Sequence, residues 1–214
     1  MNLENLTISK GAHNGPSKGM CVMEMVSYVA MEPWSAAPEC TSPALSAYAR
    51  AFNDKLPDDL RQRLKGYIHK MVGLRNDDLE QRIAYMCADR AVRVFAPIAL
   101  RRAGMEDDAR RLEELPEIVD EESASAAARA ARRAADRAAC NRATYRAAHS
   151  ATHSATHSAA CSAAHSAAAS AYSVAYDEGF RLLDDIIDLL KASIPDREQE
   201  VLERMEMMPE PVSV

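Results

Sequence analysis

A four-residue repeat dominated by alanine is the feature that most constrains how this chain can fold. Residues 123–176 contain 24 alanines in 54 positions and no Gly, Pro, Leu, Ile, Phe or Met. One position of each tetrad is always alanine, from Ala131 and Ala135 through to Ala175. Because alanine is the best helix former, we expect this segment to be helical with little help from the rest of the chain.

The alanine row predicts close packing of this helix against its neighbours. A buried methyl group contributes only about 0.8 kcal/mol, so packing stabilises the segment only where other backbones approach closely. Four residues advance by about 400°, so the row turns by about 40° for each tetrad. We expect either right-handed coiling or different neighbours along the row, from this chain or a second copy. The alternative is a low-complexity expansion in which the row is incidental.

The remaining sequence predicts an all-α chain in four parts. These are an irregular lead-in, a small helical domain, the Ala-rich helix and C-terminal amphipathic helices, over 1–19, 20–115, 123–176 and 177–207. Helices are expected near 20–30, 43–53, 57–72, 76–103 and 105–115, bounded by prolines, glycines and N-caps such as Ser42 before Pro43. We expect Pro97 to kink its helix. In the C-terminal helix the residues expected to face inward are Phe180, Leu183, Ile187 and Leu190.

The net charge of -6 hides a basic segment. Residues 123–176 carry six arginines against Asp136, whereas 177–214 carry eleven acidic and four basic residues. Arginines spaced along a helix could follow a phosphate backbone, but no nucleic-acid-binding motif accompanies them. Neutralisation of the arginines within the protein is therefore the favoured interpretation, and nucleic-acid binding is the weaker one.

Cysteine usage and hydropathy indicate a cytoplasmic protein. The five cysteines are scattered and odd in number, which fits a reducing compartment better than a disulfide framework. The polar first 19 residues lack the apolar core of a signal peptide. No run of about 18 apolar residues exists, so no membrane association is expected.

A histidine ladder occupies the centre of the repeat. Four histidines and one cysteine recur every four residues, at His149, His153, His157, Cys161 and His165. Neighbours on one helix face could share a metal ion, but two ligands do not complete a tetrahedral site. The equivalent position is Arg137, Asn141 and Tyr145 upstream. We interpret this position as tolerant, with adventitious metal or a pH-sensitive contact as alternatives.

The stretch KGAHNGPSKGMCVMEM holds the strongest candidate site. His13 lies in a Gly-rich loop, and Cys21 lies at a helix N-terminus, where the helix dipole is expected to lower a thiol pKa. With Glu24 one turn on, these residues could form a thiolate nucleophile with its base. Alternatively His13, Cys21 and Cys40, with Glu24, could bind zinc. The simplest interpretation is that Cys21 packs as a small apolar residue.

A succession of short motifs, KGAH, CVME, EPWS, PECTSPAL and LPDDLRQRL, runs through the first part of the chain. Over about residues 9–104 this succession resembles an uncharacterised family of bacterial and phage proteins, many of which continue into an Ala-rich tail. The resemblance implies a domain boundary and a phage or mobile-element origin, and it implies no activity.

The resemblance also singles out residues. The matching positions are Lys10, Gly11, His13, Cys21, Glu24, Glu32, Pro33, Ser35 and Cys40. Among them, Lys10, Glu32 and Ser35 become candidate ligand-binding residues. Two departures lie at Ala36 and Ala37, where the family has Asp followed by His or Ala; if that acid or histidine serves the family's site, this copy lacks it. His69 and Leu74 also depart from the family pattern, which has Pro and Thr at these two positions.

We predict a cytoplasmic binding or assembly protein that sequesters a partner or a small ligand. The Ala-rich helix would mediate close packing, through a protein partner or through self-association. The first alternative is a small cysteine- or zinc-dependent enzyme built on His13, Cys21, Glu24 and Cys40. The second is nucleic-acid binding through the arginines.

Overall fold

The computed structural model describes residues 5–152, 157–195 and 197–209, with the side chains of 139–152 and 157–172 excepted. Within these ranges all regular structure is helical, which confirms the all-α prediction. None of the described helices combines the length and hydropathy that a bilayer span requires.

The α-helices follow one another along the chain. They are α1 Val22–Val29, α2 Pro43–Lys55, α3 Asp58–Arg61, α4 Ile68–Met71, α5 Glu80–Arg90, α6 Ala96–Arg102, α7 Glu106–Glu113, α8 Glu121–Thr152, α9 His157–Lys191 and α10 Glu198–Met207. Short 3-10 segments lie at Pro16–Lys18, Gln62–Tyr67 and Asp77–Leu79, and a π-helical turn lies at Ala91–Phe95.

Local sequence explains where several helices begin and change. Ser42 caps α2 by accepting a hydrogen bond from the Leu45 amide at 3.1 Å, and Pro43 fits the first turn. The single helix expected over 57–72 is instead α3, a 3-10 segment and α4; Gly66 weakens the helix there. A π-helical turn lies just before Pro97, and the kink expected at this proline stays a prediction.

The chain forms two compact units. The first comprises Met1–Ile83 with Leu183–Val214, and the second comprises Ala84–Leu182. The predicted domain over 20–115 is therefore divided between the two units, and neither unit ends near residue 115. The sequence offered no signal at residue 83, since the helical pattern continues through it.

The first unit is organised around α1, in which all residues but Tyr28 are buried. This helix packs against α2 and α4, and α10 packs against α4. The C-terminal part of α9 belongs to this unit and buries Leu183, Ile187 and Leu190, which confirms these three predictions. The core is therefore built mainly from large aliphatic and Met side chains.

The core of the second unit contains more small side chains. Leu100, Met105, Ala109 and Leu112, from α6, α7 and their connection, pack with Ala134 of α8. The alanines of α8 that are buried or pack against this cluster recur every three or four residues, at Ala127, Ala130, Ala134 and Ala138. Ala135, which belongs to the fixed alanine row, is exposed. The packing face thus follows the helical period of 3.6 residues and not the row.

Candidate functional site

The buried carboxylate of Glu24 organises the N-terminal loop of the first unit. Its Oε2 accepts a hydrogen bond from the Cys21 amide at 2.7 Å, while the Glu24 amide approaches Cys21 Sγ at 3.5 Å. This reciprocal pair is a capping box with cysteine in place of the usual serine or threonine. Glu24 Oε1 also accepts from the His13 amide at 2.5 Å, so one side chain holds both the helix start and the loop.

His13 is held through its side chain and through its backbone carbonyl. Its Nδ1 lies 2.9 Å from Glu24 Oε2, and its carbonyl accepts a hydrogen bond from Trp34 Nε1 at 2.8 Å. At Gly19, where φ is +115°, an added Cβ would lie 2.7 Å from the imidazole Nε2. Only glycine fits both this backbone conformation and this close approach. The Glu24 carboxylate and the Gly19 backbone therefore constrain the imidazole.

Cys21 does not have the properties expected of a nucleophile. Burial raises the pKa of its thiol to about 12, and the neighbouring Glu24 carboxylate adds to the rise. The expectation that the helix dipole lowers this pKa is wrong, because burial outweighs hydrogen bonds from the helix amides. Only 2 % of Cys21 is exposed, and His13 pairs with Glu24. The arrangement matches the simplest interpretation, a buried cysteine that packs as a small apolar residue.

The predicted zinc ligands do not converge. Across the described ranges, no three His, Cys, Asp or Glu side chains are grouped so that they could hold a metal ion. The described side chains therefore do not bring His13, Cys21 and Cys40 together as a zinc site, and zinc binding stays a prediction. Glu24 is engaged by His13 and Cys21, while Cys40 Sγ lies 3.6 Å from the hydroxyl of Thr41.

The residues implied by the resemblance have structural partners. Glu32 accepts hydrogen bonds from the amides of Glu39 and Cys40 at 2.7 and 2.8 Å. The Ser35 hydroxyl accepts from the Ala37 amide at 3.0 Å. Both side chains therefore shape the loop between α1 and α2. Lys10 is exposed and lowers the pKa of Asp54 through its charge.

A cavity of about 250 Å³, which was not predicted from the sequence, lies beside the loop between α1 and α2. One face of α2 lines it with Ala47, Arg50, Ala51 and Asp54. The rest of the lining is small, from Gly11, Ala12, Cys21 and Ala36. The available signal was the spacing of these four α2 residues, which places two alanines and two opposite charges on one helix face away from buried Leu45, Ala49 and Phe52.

Two opposite charges line the cavity and are anchored separately. Arg50 Nη1 donates to the Ala36 carbonyl at 2.8 Å. Asp54 Oδ1 accepts from the Gly11 amide at 2.8 Å and from Asn53 Nδ2 at 3.0 Å. Although partial burial acts in the opposite direction, these hydrogen bonds hold the pKa of Asp54 below its usual value. Asp54 is thus ionised at neutral pH.

The arginines of α8 are neutralised only in part. Arg137 donates to Asp108 of α7 through Nε and Nη2 at 2.9 and 2.5 Å, and Arg111 Nη1 lies 3.3 Å from the same oxygen. This ion pair agrees with neutralisation within the protein. Arg129, Arg132 and Arg133 are exposed and have no ion-pair partner among the side chains that the structure describes. Nucleic-acid binding stays a prediction.

The histidine ladder lies outside the described side chains. His153 is outside the described residues, and for His149, His157, Cys161 and His165 only the helical backbone is described. The interpretation of the ladder as a tolerant position therefore stays a prediction.

No family model, curated protein or solved structure matches the chain. The resemblance to the bacterial and phage family stays a prediction, as does the phage or mobile-element origin that it implies.

Proposed function

We propose that this protein binds and sequesters a small ligand in the cavity beside α2. The observation that carries the proposal is the pairing of a 250 Å³ cavity with two charged side chains, Arg50 and Asp54, that line it. Small-molecule sites typically combine a concave, mainly apolar surface with a few placed polar groups. The cytoplasmic location predicted from the cysteines is part of this proposal.

The lining supports a small ligand. Ala12, Ala36, Ala47 and Ala51 present only methyl groups, and Gly11 presents none. Ala12, Ala47 and Ala51 are exposed, so the cavity opens to solvent, and larger side chains at these positions would narrow it. The volume lies below the roughly 300–1,000 Å³ of sites for drug-sized ligands, so a ligand smaller than these is favoured.

The assembly part of our sequence prediction has less support in the described residues. Buried Ala134 of α8 is covered by α6 and α7 of the same chain, through Leu100, Ala109 and Leu112. Self-association through the remainder of the Ala-rich segment, or a protein partner there, stays a prediction.

Binding can be tested by NMR on the full chain. Amide shifts would be recorded with three probe sets: the standard amino acids, short-chain carboxylates and short-chain amines. We expect at least one probe to shift the amides of residues 11, 12 and 50–54. The Ala51→Leu variant should fill the cavity and abolish these shifts, whereas Ala128→Leu, at an exposed position of α8, should retain them.

The binding proposal fails if no probe shifts these amides in the wild type. It also fails if Ala51→Leu binds every probe as the wild type does. Fluorescence of Trp34, the only tryptophan, reports whether each variant keeps the fold of the first unit.

A further inference from the structure

Arg50 and Asp54 line one cavity and are not paired with each other. They lie four residues apart on α2, where Cβ atoms are separated by about 5–6 Å. Opposite charges at this spacing commonly form an ion pair on a helix surface. No ion pair joins them here, and neither has another ion-pair partner within 4.0 Å in the described part of the chain.

Each charge is hydrogen-bonded to neutral partners, and the charges of Lys10 and Arg61 also act on Asp54 without forming an ion pair with it. The Ala36 carbonyl holds one guanidinium nitrogen of Arg50, which leaves its other N–H groups as available donors. The Gly11 amide and Asn53 hold Asp54 through Oδ1 alone, which leaves Oδ2 as an available acceptor. Neither Arg50 nor Asp54 has a side-chain atom among the buried polar atoms that lack a hydrogen-bond partner. The cavity therefore offers a donor group and an acceptor group at two anchored points.

We propose that the ligand of this cavity is a small zwitterion of the amino-acid class, with its carboxylate on Arg50 and its ammonium on Asp54. This inference rests on the proposed binding function and specifies its ligand class. A ligand carrying one charge would partly desolvate both side chains and pair only one of them, which costs affinity. A zwitterion pairs both, and its short apolar part fits the alanine walls.

Calorimetric titration of the full-length protein with matched probes tests the ligand class. The probes are L-valine, 3-methylbutanoate, which lacks the ammonium, and 2-methylpropylamine, which lacks the carboxylate. A fourth probe, 5-aminovalerate, is an isomer of valine with widely separated charges. We expect at least one zwitterion to bind about tenfold or more tightly than both single-charge analogues.

Two variants assign the charges. In Arg50→Gln the preference for the zwitterion over 2-methylpropylamine should disappear. In Asp54→Asn, which keeps the Oδ1 acceptor for Gly11, the preference over 3-methylbutanoate should disappear. Trp34 fluorescence and the midpoint of urea unfolding verify that both variants are folded.

The other outcomes separate the two proposals. The zwitterion class is wrong, and the binding function stands, if 3-methylbutanoate or 2-methylpropylamine binds as tightly as the tighter-binding zwitterion and Ala51→Leu abolishes that binding. The same holds if neither zwitterion binds while another NMR probe does. If no probe of any set binds, both proposals fall.

Discussion

The two compact units of this protein bury their helices in different ways. In the first unit, α1 is surrounded by large side chains, and a buried carboxylate, Glu24, fixes the chain that leads into it. In the second, α8 packs through alanines such as Ala127 and Ala134. The first unit thus depends on directed hydrogen bonds at one point, and the second depends on the absence of bulk along a face. This difference predicts that removing a hydrogen-bonding group destabilises the first unit, whereas adding bulk to an alanine destabilises the second.

The largest effect is expected at Glu24. Glu24→Ala removes the acceptor for two backbone amides and for His13 Nδ1, all in a buried or part-buried setting. We expect a loss of about 3–5 kcal/mol in the free energy of unfolding of the first unit. Urea unfolding followed by Trp34 fluorescence measures it.

The control is Asp59→Asn, at an exposed acid in α3 of the same unit, which should change stability by less than about 0.5 kcal/mol. A loss below about 1 kcal/mol for Glu24→Ala would mean that the hydrogen-bonded loop does not support α1, and the contrast between the units would disappear.

A smaller effect is expected when bulk is added to α8. Ala134→Leu inserts three carbons into the cluster of Leu100, Met105 and Leu112, and we expect a loss of about 1–3 kcal/mol. Ala135→Leu, at the next position, points to solvent and should be nearly neutral. Hydrogen exchange of the amides in α6 and α7 measures both. Equal losses at the two positions would show that the fixed alanine row also packs closely.

The smallest effect is expected at the ion pair between α7 and α8. The hydrogen bond from Arg137, aided by Arg111, lowers the pKa of Asp108, so the carboxylate stabilises the second unit above the unfolded-state pKa. We expect Asp108→Asn to cost about 1 kcal/mol or less at neutral pH. This difference should vanish as the pH falls from about 4 through the lower folded-state pKa.

Hydrogen exchange of α7 at neutral pH and near pH 3 provides the measurement. A difference between Asp108→Asn and the wild type that grows as the pH falls would contradict the assignment. Arg129→Gln, at an exposed arginine without a described partner, is the matched control and should show no pH-dependent difference.

Several helix starts and buried faces were predictable from local sequence, whereas the break within 57–72 and the division into two units were not. Ser42 with Pro43 predicts the start of α2, and the spacing of Leu183, Ile187 and Leu190 predicts their burial, because caps and periodicity act over a few residues. The division at residue 83 follows from contacts between distant segments, which no local pattern encodes.

The candidate site shows the same limit. The structure joins Cys21 to Glu24 as a capping box and His13 to the same carboxylate, whereas the sequence pattern grouped the three residues as a thiolate site. That pattern assigned the wrong direction to the pKa of Cys21, because that depends on burial. The cavity beside Arg50 and Asp54 was missed because it forms where the N-terminal loop, the α1–α2 loop and α2 meet.

The rate at which Cys21, the cap of α1, is chemically labelled reports opening of the first unit. A thiol with a pKa of about 12 and 2 % exposure reacts with a disulfide reagent only when its surroundings open, because the thiolate and the access it needs are both nearly absent in the closed state. When reclosing is faster than reaction, the rate of labelling at Cys21 reports the free energy of that opening. A ligand bound in the cavity that Cys21 lines would slow this labelling in proportion to its occupancy.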